Sequence, residues 1–156
     1  QDYEKAEEFY KKAIELTDSE DERAVIYNNL GFLYLDKDEP DKAIEYFKKS
    51  VEIDLRKGDK KRAGEHMLNL GIAYTLTGDL ENAKKYLDEG LDLVKQIGNK
   101  FWEAMGYKYI GIYNSKAGNL KEAKEHLLKS YEMFKNEIGS EYLANDVLYI
   151  LRQIGT

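Results

Sequence analysis

The sequence contains no cysteine, a single proline and no long apolar run. Without cysteine, disulfide bridges and thiolate metal sites are excluded, and the composition suits a reducing compartment. Because proline interrupts helices, its scarcity, together with few β-branched runs, favours an all-α fold. No stretch approaches the roughly 18 apolar residues of a membrane-spanning helix. We therefore expect a cytoplasmic chain with no membrane partner.

Positive charge is also in short supply. The 156 residues carry a net charge of −6, whereas a nucleic-acid partner calls for a basic face, so we expect no nucleic-acid binding. With 35% charged and 42% hydrophobic residues, the composition is that of a globular chain. No signal peptide is visible, and the chain begins with Gln1 rather than methionine, which indicates a processed chain or an excised fragment.

A pattern that recurs every 40 residues organises the chain. Its central copy contains Gly71, followed by the turn Gly78-Asp79 and then by Ala83 and Leu87. The same residue types recur in matching columns, which are Leu30, Leu70 and Ile110; Gly31, Gly71 and Gly111; Ala43, Ala83 and Ala123; and Phe47, Leu87 and Leu127. Self-similarity at a fixed period of this length indicates a repeat architecture.

Each unit contains two predicted helices. In the first, apolar or small residues recur at i, i+3, i+4 and i+7, which is one face of a helix, and the second helix repeats this spacing. Glycine in the intervening turn ends the first helix, and Asp79 or Asn119 is suited to the N-cap of the second. The glycines at 31, 71 and 111 lie inside helices, where glycine is unfavourable. We interpret them as points of close approach to Ala43, Ala83 and Ala123.

This pattern resembles the tetratricopeptide repeat over nearly the whole chain. The 40-residue unit is longer than the usual 34 of that family. The turns Gly58-Asp59 and Gly98-Asn99 make it similar to the extended repeats of LGN/Pins adaptors, kinesin light chains and bacterial peptide-sensing regulators. The usual proline that ends the second helix is absent. The resemblance implies an all-α, right-handed superhelical solenoid of antiparallel helix pairs, with about eight helices.

We expect one array over residues 1–156. Residues 2–16 form a half-repeat with a helix of the second type, and 141–154 form a half-repeat or capping helix of the first type. The three complete units are 20–57, 60–97 and 100–136.

The last helix departs from the repeat because Leu151 stands where the other units have glycine. Two interpretations remain open. It is either a terminal cap with its polar residues in water, or an apolar face that docks on another molecule. Since 2–16 lacks a first helix and 141–154 lacks a second, copies could stack head to tail into a composite repeat.

In the resembled family, a stripe along the first helices lines a concave groove that binds peptides. The resemblance implies that Asn29 and Asn69 hold a peptide backbone, while Phe32, Ile72 and Ile112 form an apolar floor. Asn28, Leu68, Lys108, Tyr109, Lys116 and Arg152 complete the predicted peptide-binding set. The alternative for these residues is ordinary helix packing or a solvated helix face.

The charges on this stripe are uneven. Lys108, Lys116 and Arg152 lie in the C-terminal half, and Asp36 and Glu65 lie at the other end. This arrangement favours a peptide with apolar anchors and an acidic segment toward residues 108–152. Ordinary solvated charges are the alternative.

No catalytic or metal-binding motif is present. His66 and His126 lie in helices of different type and share no metal-ligand spacing, and we expect His66 to be a partly buried, hydrogen-bonded histidine packed toward the preceding helix. We therefore expect no cofactor and a non-catalytic protein-interaction module. The alternatives are an architectural or self-associating segment, and the sensor part of a larger protein.

Overall fold

The structure, a computed structural model, describes residues 2–155 as a right-handed solenoid of antiparallel helix pairs. The described residues contain α-helices and one π-helical stretch but no strand. The helices are α1 (Tyr3–Leu16), α2 (Glu20–Asp36), α3 (Pro40–Lys57), α4 (Lys60–Thr77), α5 (Leu80–Ile97), α6 (Lys100–Lys116), α7 (Leu120–Glu132) and α8 (Glu141–Ile154). The all-α fold predicted from the sequence is confirmed.

The helix ends follow local sequence signals. Gly58, Gly78 and Gly98 take left-handed backbone conformations directly after a helix, with φ of 71°, 86° and 81°. Asp79 then caps α5, because its Oδ1 accepts a bond of 3.2 Å from the backbone N–H of Asn82. Asn119 also occupies an N-cap position but makes no side-chain capping bond, so the predicted cap is absent at α7.

Each repeat glycine allows a close contact between the two helices of its pair. A Cβ atom on Gly71 would lie 2.6 Å from Leu87 Cγ, and one on Gly111 would lie 2.5 Å from Leu127 Cγ. Gly31 meets the Phe47 ring in the same way. The expected partners Ala43, Ala83 and Ala123 are buried, but the side chain nearest to each glycine belongs to the residue one turn later. The close approach is confirmed: at Gly111 the Cβ position lies 3.2 Å from Ala123 O, and at each glycine the side chain one turn after the alanine fills the contact.

The C-terminal end of the solenoid is built differently. After α7 the helix widens into a π-helical stretch, Met133–Ile138, which Gly139 ends with a φ of 76°. Met133 and Phe134 are buried there against Ala144 and Val147 of α8. The polar residues Asn145, Asp146, Arg152 and Gln153 are exposed. Thus α8 covers the end of the core with one face and exposes these polar residues, together with Tyr142 and Tyr149, to solvent.

The N-terminal helix packs partly buried side chains, Tyr3, Ala6, Tyr10 and Ile14, against the core, and polar contacts add to this packing. The Tyr34 hydroxyl of α2 donates to the Glu7 carboxylate, and Lys11 Nζ lies 2.8 Å from Glu7 Oε1. Lys37 Nζ lies 3.6 Å from the second oxygen. The hydrogen bonds from Lys11 and Tyr34, with the nearby Lys37 charge, lower the pKa of Glu7 from 4.5 to about 2.

We expect Glu7→Gln to lower Tm by about 2–4 °C at pH 7, which corresponds to the loss of about 1 kcal/mol. Since the pKa of Glu7 is depressed in the folded chain, its stabilisation is fully present above the ordinary value of 4.5 and is lost as pH falls through about 2. The Tm difference between variant and wild type should therefore shrink toward zero in acid. Thermal melts of both proteins between pH 7 and pH 2 measure it.

The exposed neighbour Glu8 provides the matched control, and Glu8→Gln should change Tm little at any of these pH values. A Glu7→Gln difference that stays constant down to pH 2 would contradict the assignment.

Candidate functional site

The first-type helices α2, α4, α6 and α8 form a layer. We call the groove face the surface of this layer that carries the predicted binding residues, from Asn28 on α2 to Arg152 on α8. Side chains join neighbouring helices of the layer: Asn69 Nδ2 donates to Asn28 Oδ1 at 3.0 Å, and Lys108 Nζ donates to Asp146 Oδ2 at 2.5 Å. The other side of the layer packs on the second-type helices through the repeat glycines. The stripe predicted from the sequence therefore lies on one continuous layer.

The predicted binding residues differ in accessibility. Lys116 and Arg152 are exposed, and a half-buried group comprises Asn28, Asn29, Phe32, Lys108 and Ile112. The buried group comprises Leu68, Asn69, Ile72 and Tyr109. The structure therefore brings accessible members to the two ends of the groove face and buries those in its middle.

The middle of the layer is closed because small residues let α4 approach its neighbours. A Cβ atom on Gly90 would lie 2.9 Å from Leu68 Cγ, and one on Gly106 would lie 3.5 Å from Leu68 Cδ1. Leu68 fills this space and is 0% exposed, as is Asn69. Leu68 is a core residue in this structure and offers no surface that a ligand could reach.

The two asparagines predicted to hold a peptide backbone have different surroundings. Asn69 donates to Asn28 inside the layer, and among the described residues its Oδ1 has no hydrogen-bond partner. Asn29 occupies the equivalent position in α2, but no first-type helix precedes it in the described chain. Asn29 is therefore half-buried and lines a cavity. The structure presents one of the two amides to solvent, not a uniform pair.

The charges of the groove face are partly neutralised. Lys108 is paired with Asp146, so the free positive charge of the C-terminal half is carried by Lys116 and Arg152. Burial raises the pKa of the Glu65 carboxyl above its usual value, and the nearby positive charge offsets only part of this rise. The predicted acidic-peptide site thus keeps two cations rather than three.

Three features of the groove face were missing from the predicted set. Tyr149 of α8 is 64% exposed and Leu76, near the end of α4, is 44% exposed, so each adds apolar surface to the groove face. Their sequence signal is the same 40-residue register that located Asn69 and Ile72. The third feature is a cavity of about 270 Å³ between α1 and α2. No sequence signal gives it, since it depends on how α1 docks.

Three polar residues meet inside the core in a combination that is familiar from hydrolases. His66 Nδ1 lies 2.5 Å from Asp54 Oδ2 and 2.8 Å from Ser50 Oγ, and the Ser50 hydroxyl donates to Ala24 O at 2.9 Å. In a catalytic triad the serine and the carboxylate contact opposite ring nitrogens. Here both contact Nδ1, and all three side chains are buried. The cluster is structural, and the predicted hydrogen-bonded histidine is confirmed.

Nowhere in the described part of the chain do three or more His, Cys, Asp or Glu side chains come together as a metal site requires. Among residues 2–155, none of the helices combines the length and hydropathy needed to cross a bilayer.

Comparison with known proteins identifies the repeat. The family model described as tetratricopeptide repeat matches residues 1–56 and 62–136. The chain belongs to the tetratricopeptide repeat family. This array is also similar to BtubC (BKLC) from P. vanneervenii, with a TM-score of 0.73 at 18% identity over 99% of this chain and 73% of that chain. At that identity the similarity supports the solenoid fold alone. No curated protein matches the sequence.

The family assignment gives a coarse function. Tetratricopeptide repeats are generally protein-interaction modules, and the family is generally non-catalytic. In this tetratricopeptide repeat array the layer of first-type helices carries the residues that the sequence analysis predicted to bind a peptide.

Proposed function

We propose that the chain is a non-catalytic interaction module that binds an extended peptide or a partner helix along the groove face. One observation carries this proposal. The groove face combines an accessible amide, apolar side chains and cations that have no ion-pair partner among the described residues. These residues are Asn29, Phe32, Ile112, Lys116 and Arg152.

The chemistry of this set suits a main chain that has no secondary structure of its own. The Asn29 amide offers both a donor and an acceptor to an extended backbone. Phe32 is fixed by an edge-on contact with the Phe47 ring, with 5.3 Å between ring centroids. An anchored aromatic loses little side-chain entropy on binding, which favours affinity.

Because the middle of the layer is buried, the proposed ligand contacts lie at its two ends. Asn29 and Phe32 would contact one end of a ligand, and Ile112 with Lys116 and Arg152 would contact the other. We propose that Leu68, Asn69, Ile72 and Tyr109 act by setting the distance between these ends. The burial that raises the pKa of the Tyr109 hydroxyl accords with this supporting role.

A second candidate function is self-association through the end helices, and one observation favours it. Tyr142 of α8 is 82% exposed, and Tyr149 is 64% exposed. The glycine contacts argue against head-to-tail stacking at the spacing of the other pairs, since Leu151 would meet a second-type helix where Gly31, Gly71 and Gly111 stand elsewhere. Sedimentation velocity over a range of concentrations distinguishes the two functions. A monomer at all concentrations excludes self-association.

Selection from a phage-displayed library of random 12-residue peptides tests the proposal. We expect enriched peptides that bind the purified chain with Kd values in the micromolar range, since each contact set is small. An identical selection against a chain with Asn29→Ala and Ile112→Ala should not enrich the same peptides. If the wild-type chain enriches no peptide, the proposed function is wrong.

A further inference from the structure

A cavity of about 260 Å³ is lined by α5, α6 and α7, and none of its lining residues belongs to the predicted peptide-binding set. Leu87, Leu91 and Ile110 supply its apolar wall, and Tyr113 supplies an aromatic one. Because α4 precedes these three helices and α8 follows them, the cavity lies inside the array and not at an end.

Stacked tyrosine rings take the equivalent place in the first two units. Tyr34 of α2 stacks on Tyr46 of α3 with 5.4 Å between ring centroids, and Tyr74 of α4 stacks on Tyr86 of α5 with 5.8 Å. The planes of the rings are nearly parallel, at 3° and 8°. In both units, therefore, each helix of the pair contributes one phenol ring to this space.

Smaller polar side chains replace both tyrosines in the third unit, where the 40-residue register puts Asn114 and His126 at the two positions. Each side chain bonds back to its own helix. Asn114 Nδ2 donates to Ile110 O at 3.0 Å, and His126 Nδ1 donates to Glu122 O at 2.8 Å. Among the described residues no hydrogen bond joins the two side chains, so the space that two tyrosine rings take elsewhere remains as the cavity.

The polar groups of the cavity suit an uncharged ring that carries a hydroxyl. Since His126 Nδ1 donates to a carbonyl, the neutral imidazole keeps Nε2 as an acceptor, and Nε2 has no hydrogen-bond partner among the described residues. Two of the exposed lining residues pair with each other, with Lys84 Nζ 2.8 Å from Asp88 Oδ2. Glu122 adds a carboxylate to the lining, which disfavours an anionic ligand.

We propose that this cavity binds one phenol ring, carried by a small molecule or by a tyrosine side chain of a partner protein. The ring packs against Leu87, Leu91 and the Tyr113 ring, and its hydroxyl donates to His126 Nε2. At about 260 Å³ the cavity is smaller than those that hold drug-sized molecules, so it takes a single ring. The site uses no residue of the groove face and is independent of the proposed function.

An NMR titration with p-cresol, the side-chain analogue of tyrosine, tests the inference on a chain with isotope-labelled leucine and isoleucine methyl groups. We expect saturable shifts at Leu87, Leu91 and Ile110 with a Kd of about 1 mM, as for so small a ligand. The saturated analogue methylcyclohexanol should bind about fivefold more weakly, because it has no π-face to stack on Tyr113. Equal binding of the two compounds would overturn the assignment of an aromatic ring.

The double variant Asn114→Tyr/His126→Tyr restores the residue pair of the other two units and fills the cavity. Its own rings then occupy the space, so p-cresol should bind at least about tenfold more weakly. Lys124→Tyr/Leu128→Tyr, which adds two rings at exposed positions of α7, is the matched control and should bind as the wild type does. Wild-type affinity in the filled variant would overturn the inference. If that variant does not fold, the methyl shifts of the wild-type chain decide.

A second probe separates the two sources of the ring. N-acetyl-tyrosine methylamide carries the same phenol on a peptide backbone. If it competes with p-cresol, the cavity accepts a tyrosine side chain of a partner protein, and if p-cresol alone binds, the ligand is a small free phenol. If neither probe shifts the methyl groups of Leu87, Leu91 and Ile110, the inference is wrong, and the proposal for the groove face is unaffected.

Discussion

His66→Ala is expected to lower the free energy of unfolding by about 3–5 kcal/mol, the usual cost of leaving a buried carboxylate without its partner. The substitution leaves the Asp54 carboxylate, which is 2% exposed, without the partner that now lies 2.5 Å away. It also removes one contact of the Ser50 hydroxyl and opens a cavity between α3 and α4. Urea denaturation followed by circular dichroism measures the loss.

The neighbouring unit of the same chain supplies the control for this prediction. Gly90, Val94 and Gly106 occupy the positions equivalent to Ser50, Asp54 and His66. A purely apolar interface is therefore compatible with the fold. We expect the double variant Asp54→Val/His66→Leu to recover most of the stability lost in His66→Ala, because no charge is left buried. A double variant as unstable as the single one would show that the cluster stabilises by more than charge pairing.

Gly71→Leu is expected to destabilise the chain by about 3 kcal/mol, at the upper end of the range for overpacked cores. Even a Cβ atom at this position would lie 2.6 Å from Leu87 Cγ and 3.1 Å from the Leu87 backbone nitrogen. Because the backbone nitrogen cannot rotate away, the two helices must separate. Thermal or urea unfolding of the purified variant measures the change.

A second substitution separates this steric effect from a general loss of packing. Leu87→Ala alone should cost about 2–5 kcal/mol, because a fully buried side chain is truncated. In the double variant, the leucine at position 71 can use the space left by Leu87, so the combined loss should be smaller than the sum of the single losses. Strict additivity would contradict direct contact between the two positions.

The fold could be predicted from the sequence because the residues that pack the two helices of a unit recur three times at the same spacing. A glycine inside a helix is unfavourable unless something lies close to it, so Gly31, Gly71 and Gly111 by themselves indicate a close helix pair. The side chain that fills each contact, one turn after the alanine, was not predicted. The position of a glycine gives the point of contact, but not the rotamer of the neighbouring Phe47 or Leu87 that fills it.

The candidate site was less predictable, since accessibility depends on contacts between repeats. The register placed Leu68 and Asn69 on the same stripe as Asn29, and the structure puts them in one layer. Leu68 fills space that Gly90 and Gly106 leave open, whereas Asn69 contacts Asn28 of α2. Nothing in the repeat pattern of α2 and α4 alone distinguishes the covered Asn69 from the open Asn29.

The cavity between α1 and α2 could not be predicted for a related reason. It lies between α1 and α2, which are joined by contacts that no repeat column contains. Tyr3 bonds the backbone of Asp36, and Tyr34 bonds Glu7. These two contacts have no equivalent in the other units, so repeat periodicity carries no information about them.

The most direct test of the account is the affinity of a selected peptide for two matched variants. One variant carries Asn29→Ala/Ile112→Ala on the groove face, and the other carries Leu120→Ala/Leu128→Ala at exposed positions of α7. We predict at least a tenfold increase in Kd for the first variant, about 1.4 kcal/mol, and no change for the second. Equal binding by both variants, or a loss confined to the α7 variant, would contradict the groove face as the binding surface.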